Sequence, residues 1–132
     1  MNGYEFEVWL RRARSNLEIA RLGKGEGVVL EDLCFEAQQA AEKALKALLI
    51  YVSGEYPRTH AFHLLLERLA PYVEIPDAIQ DVVELSDYAV QMRYPGDYYP
   101  VEEAEYVRAI WLADQVLKWV YLEFEQRKGA SS

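Results

Sequence analysis

Arg93 is the residue whose surroundings most invite chemistry. It is the only base in a region of acids and opens the stretch RYPGDYYP, in which Tyr94, Asp97, Tyr98 and Tyr99 accompany two prolines and a glycine. A guanidinium can grip a phosphate through paired hydrogen bonds, while phenol rings stack on a base or donate their hydroxyls. The plainer role is an ion pair from Arg93 to Asp87 or Asp97 that pins the loop, and residue types alone rank it first.

Two histidines come next. His60, His63 and Glu67 follow at spacings of three and four, so they can share one face of a helix. Zinc needs three or four firm ligands, and no second cysteine or third histidine completes a set, so no metal site is expected. His60 has the intrinsic pKa of a proton carrier; a helix-start or packing role is its commoner use. On the long central segment, Gln39 and Lys43, and Glu42 and Lys46, stand four apart, with Gln38 beside them. Such pairs ordinarily decorate a helix surface. Cys34 reads as a small core residue. There is no phosphate-binding glycine loop, paired-cysteine motif or Gly-x-Ser-x-Gly elbow, and no cofactor is expected.

These residues must be positioned by helices. Residues 31–53 contain no Gly or Pro, and Leu33, Ala37, Ala40, Ala41, Ala44, Leu48 and Val52 recur at helical spacing. The polar strip that remains is Glu36, Gln39, Lys43 and Lys46, with Gln38 and Glu42 at its edge. A helix so apolar belongs at the centre of a bundle. Before it, residues 5–22 carry the stripe Phe6, Leu10, Ala13, Leu17 and Ala20, with Trp9 beside it. After it, Thr59 caps a short helix over 60–69 with Leu64, Leu65 and Leu69 inward. A fourth helix opens at Ile75-Pro76-Asp77 and buries Ala78, Ile79, Val82, Val83, Leu85, Ala89 and Val90 as far as Met92. A fifth begins near Val101 with Ala109, Ile110, Ala113, Val116, Leu117, Val120 and Phe124 inward, and residues 126–132 fray. The expected fold is all-α: one domain over 1–132, an antiparallel up-down bundle of four long helices plus one short helix.

The bulk numbers exclude several classes. The chain has 132 residues, 52% of them hydrophobic and 27% charged, as in a folded domain large enough for its own core. Its apolar runs are too short to span a bilayer, the first residues lack the order of a secretion signal, and a single cysteine fits a reducing compartment. A cytoplasmic location without membrane attachment is expected. The net charge of −8 argues against a sequence-independent nucleic-acid coat. Arg11, Arg12, Arg14, Arg21 and Lys24 nevertheless make residues 1–24 basic, while residues 70–107 are acidic. A basic face of this kind meets a polyanion or an acidic partner, or is simply solvated. Trp111, Leu112, Trp119 and Leu122, on the far side of the fifth helix, are more apolar surface than a lone bundle needs. A homodimer is expected, a wider core being the alternative.

The run CFEAQQAAEKALKALL, followed by Pro57-Arg58-Thr59-His60 and by Arg93-Tyr94-Pro95, resembles the HEPN family of small bacterial and archaeal helical proteins. The likeness extends from Trp9 to about Val120. It implies a dimer whose cleft holds a nucleotide or RNA, often with a minimal nucleotidyltransferase as partner in a toxin–antitoxin pair. Many members are metal-independent ribonucleases in which an arginine at the position of Arg93 is followed by a histidine. Here the corresponding places are Tyr98, Tyr99 and Pro100. A tyrosine, with a pKa of about 10, is a poor general base near neutrality. The resemblance therefore implies phosphate binding by Arg93, Tyr94, Asp97, Tyr98 and Tyr99, helped by Gln39 and Lys43; its Gln-Ala-Ala-Glu-Lys run also implies buried polar contacts for Gln39, Glu42 and Lys43 at the bundle centre or near the cleft. Cleavage, with Arg93, His60 and Tyr98 as catalytic candidates, is the alternative, and a non-catalytic interaction module is a third reading.

Overall fold

Helix α2, Leu30–Ser53, is the axis on which the other elements lie. The computed structural model describes residues 3–23, 25, 27–89 and 100–130. Glu31 and Asp32 occupy the first turn of α2, where the helix dipole favours acids. Gly54 ends it in the left-handed conformation (φ 86°), its N–H donating to the Ile50 carbonyl at 2.9 Å. Leucines and alanines are buried around nearly its whole circumference, and Cys34 is sealed among them.

Helix α1, Gly3–Ala20, lays Phe6, Leu10, Ala13, Leu17 and Ala20 onto α2, as the spacing predicts. At one end of the bundle the Phe6 ring stacks on Phe124 at 4.0 Å, with Tyr51 edge-on to Phe124 at 4.9 Å. At the other end the Val101 amide donates to Glu31 at 2.6 Å, and the Tyr106 hydroxyl donates to the Ala20 carbonyl. These ties make α1 antiparallel to both long partners, while α5, Glu103–Ala130, runs parallel to α2. The return between α2 and α5 is made by α3, Phe62–Leu69, and α4, Asp77–Gln80, which continues as a 3₁₀-helix over Asp81–Tyr88. Among the described residues every regular element is helical.

Several local expectations change. The fourth helix is a single α-turn followed by 3₁₀-helix, and its buried side is Ile79, Val82, Leu85 and Tyr88. These stand three apart, and with three residues per turn they fall in one line. Val83 and Ala78, expected inside, lie off that line and are exposed; Val90 and Met92 lie outside the described residues. Helix α3 starts at Phe62 rather than His60, because the Thr59 hydroxyl accepts the Ala61 N–H at 3.1 Å before the first turn forms. Phe62 and Leu66 join Leu65 and Leu69 inside, and Leu64 faces out. Helix α5 is helical through Ala130, past the Gln126 at which fraying was expected, with Arg127 donating to the Tyr72 carbonyl at 2.8 Å. Of its outer apolar residues, Leu112 is buried and Trp119 half-buried, whereas Trp111 and Leu122 are exposed.

Candidate functional site: a buried acid–base row that surfaces at His60

Gln38, Glu42 and Lys46 stand four apart on α2, one above another on a single face. They are only 0%, 4% and 7% exposed. A buried charge is tolerated only where it is paired and hydrogen-bonded. The Glu42 carboxylate does that for its neighbours: Gln38 Nε2 donates to Oε1 at 2.8 Å and Lys46 Nζ to Oε2 at 2.9 Å. His60 Nδ1 lies 3.0 Å from both oxygens. The neighbouring Gln39 Nε2 donates to Gln38 Oε1 at 2.8 Å. Burial pushes the Glu42 carboxyl up, but the hydrogen bonds from Lys46, Gln38 and His60 outweigh it and hold the group below its ordinary value.

A carboxylate only accepts, so the Nδ1 facing Glu42 carries the proton and Nε2 of a neutral ring presents its lone pair. The His60 side chain is 72% exposed while that of Glu42 is 5% exposed, so the pair spans the boundary between core and solvent. Among the described residues Nε2 has no partner. The connection from α2 to α3 is held down at a second point by Tyr56. Lys46 Nζ lies 5.5 Å from the centre of that ring, and the Trp9 indole meets it edge-on at 5.0 Å. Beside the row, Lys43 Nζ donates to Asn16 Oδ1 and Asn16 Nδ2 to Glu36 Oε1, both at 2.7 Å. Burial lowers the Lys43 ammonium; Glu36 opposes the shift and Arg12 adds to it.

The structure thus sets His60 on Glu42, while Gln39 and Lys43 of the same helix turn to other partners. Glu42 and Lys46, which helix spacing alone placed on a surface, form a buried pair under Tyr56, with Glu42 in the buried polar role that the family run implied. Gln39 and Lys43 do not pair with each other: Gln39 turns to Gln38 and Lys43 to Asn16. Asn16, Trp9 and Tyr56 were missed, and nothing local in their sequence distinguishes them. His63 and Glu67 are exposed, and no cluster able to hold a metal occurs among the described residues. Arg93, Tyr94, Asp97, Tyr98 and Tyr99 lie in the segment 90–99, outside the described residues. Its flanks are firmly held. The Tyr88 hydroxyl donates to Glu105, and the Val101 amide to Glu31 at the start of α2. Gln38 lies seven residues, about 10 Å, further along α2 from Glu31.

The model of the HEPN domain family matches residues 6–126 of this chain. Among solved structures, TT1696 from Thermus thermophilus is similar, with 33% identity, a TM-score of 0.78 and coverage of 92% of this chain and 98% of that one. ST0689, an archaeal HEPN homologue, is 32% identical with a TM-score of 0.69, covering 89% of this chain and 96% of its own. No curated protein matches significantly.

Proposed function

The chain belongs to the HEPN domain family, and on that premise we propose that it binds a nucleotide or the phosphate groups of RNA. It does so as a cytoplasmic homodimer and as the partner of a minimal nucleotidyltransferase. Arg93 clamps phosphate, and Tyr94, Tyr98 and Tyr99 stack or donate hydrogen bonds, with Asp97, Gln39 and Lys43 shaping the site. The observation that carries this reading is the buried row on α2. A buried carboxylate–ammonium pair contributes little net stability compared with apolar residues of the same size. Here it instead fixes the orientation of an exposed imidazole at the surface end of the row. Leu122 supplies exposed apolar surface for the dimer; sedimentation at micromolar concentration showing monomer alone would remove that part.

Thermal unfolding with ATP and other nucleotides tests binding. A ligand at one hundred times its Kd stabilises the folded state by about 2.7 kcal/mol. The Arg93→Ala variant should lose the shift. A melting temperature that no nucleotide or short RNA moves would leave the non-catalytic interaction module in its place.

The Glu42–His60 pair favours ribonuclease activity as a second reading. Nε2 would take the proton of a 2′-hydroxyl as its oxygen bonds to phosphorus, and the 5′-oxygen would leave with a proton from water, giving a 2′,3′-cyclic phosphate and a 5′-hydroxyl. Cleavage of RNA that survives both Arg93→Ala and His60→Ala excludes it.

A further inference from the structure

Between the outer rows of α1 and α5 lies a groove made of three cavities in line, of about 330, 440 and 380 Å³. Arg14 and Tyr121 line both the first and the second, and Arg21 and Asp114 both the second and the third, so the three adjoin, with the Arg14–Tyr121 contact and the Arg21–Asp114 ion pair marking the steps between them. Phe6, Leu10 and Phe124 floor one end, and Leu17 and Leu117 the middle. Tyr4, 81% exposed, Tyr121 and Trp111 form an aromatic rim. From Tyr4 to Arg21 the groove follows α1 for about 25 Å, the length of a helix of roughly 17 residues.

Its charges are unevenly matched. Arg21 is met by Asp114 at 2.6 Å and Glu18 at 3.4 Å, and Lys118 by Asp114 at 2.8 Å. Arg11 and Arg14 line the first cavity with no carboxylate partner among the described residues, and the Arg14 guanidinium rests 5.2 Å from the centre of the Tyr121 ring. An apolar floor flanked by two unmatched guanidinium groups complements a helix with one apolar face and carboxylates beside it.

We propose that this groove docks an acidic amphipathic helix of a partner protein, its apolar face on the floor and its carboxylates on Arg11 and Arg14. A nucleic acid fits poorly, since an apolar floor offers phosphate nothing. The proposal does not depend on Arg93 or on the row at Glu42.

The test is fluorescence anisotropy of a labelled, designed helix of about 18 residues, with leucines at helical spacing and glutamates elsewhere, titrated with the full chain. The same peptide with lysines for glutamates is the control. The acidic peptide should bind on the order of tenfold more tightly than the basic one, and Arg11→Glu with Arg14→Glu should reverse that order. Both arginines are exposed, so the variant should keep its helical circular dichroism. No binding of the acidic peptide at about 100 µM, or equal binding of both peptides, overturns the proposal. So does a dimer that Tyr121→Ser dissociates, which assigns the groove to a second copy. Arg11- and Arg14-dependent binding of a single-stranded RNA without peptide binding overturns it as well.

Discussion

Replacing Glu42 by alanine removes the acceptor shared by Lys46, Gln38 and His60 and leaves an ammonium whose side chain is only 8% exposed without its carboxylate. Breaking one side of a buried pair costs about 3–5 kcal/mol. Lys46 keeps its approach to the Tyr56 ring at 5.5 Å, so the cost should fall at the lower end, about 3 kcal/mol. For 132 residues at about 2.1 cal/mol/K each, that lowers Tm by about 11 °C. Glu42→Gln keeps the volume and one acceptor and should cost about 1–2 kcal/mol. Glu42→Leu combined with Lys46→Met replaces the pair by apolar groups and should recover most of the stability, because no unpaired charge remains. Urea unfolding followed by circular dichroism gives all the terms of the cycle. A Glu42→Ala cost below about 1 kcal/mol, or a double variant whose loss equals the sum of its singles, would show that water already satisfies the pair.

Two further outcomes follow from the same interior. Because Glu42 is held below the ordinary 4.5, its contribution is fully present above that pH and is lost as the pH falls through the lower folded value. Stability should therefore decline on acidification below about pH 4.5, and Glu42→Gln should flatten that limb; an unchanged limb would mean that other carboxylates, such as Asp114, govern it. Gly54→Ala forces a side chain into a left-handed conformation (φ 86°) and should cost about 1–2 kcal/mol in the same denaturation assay, whereas a neutral result would show that α2 can end one residue earlier.

The long helices were legible because their apolar residues repeat at three and four over many turns: the stripe of α1 and the apolar girth of α2 stand as read. What the sequence hid was which side of each helix a neighbour covers. Glu42 and Lys46 look the same four apart on a surface or in a core, and only the arrival of Trp9 and Tyr56 decides it. The His60 partner lies 18 residues back along the chain, beyond any local pattern. Leu112 shares a small cavity with Leu85 and Tyr88, so the 3₁₀-helix covers it while Trp111, one position away, stays exposed. The 3₁₀-helix itself left a trace, the strict threefold spacing of Ile79, Val82, Leu85 and Tyr88, which the apolar Val83 obscured. The arginine and tyrosines from which the site was first inferred fall in 90–99, so the structure bears on them only through their anchored flanks, Tyr88 and Val101.

Equilibrium titration of the wild-type chain and of Arg93→Ala with ATP and with a short single-stranded RNA, each at two salt concentrations, tests the central claim most directly. At least one ligand should bind the wild type, weaken as salt rises, and lose on the order of tenfold in affinity when the guanidinium is removed. Binding of neither ligand, or the same affinity and salt dependence in both proteins, would contradict a phosphate clamp at Arg93.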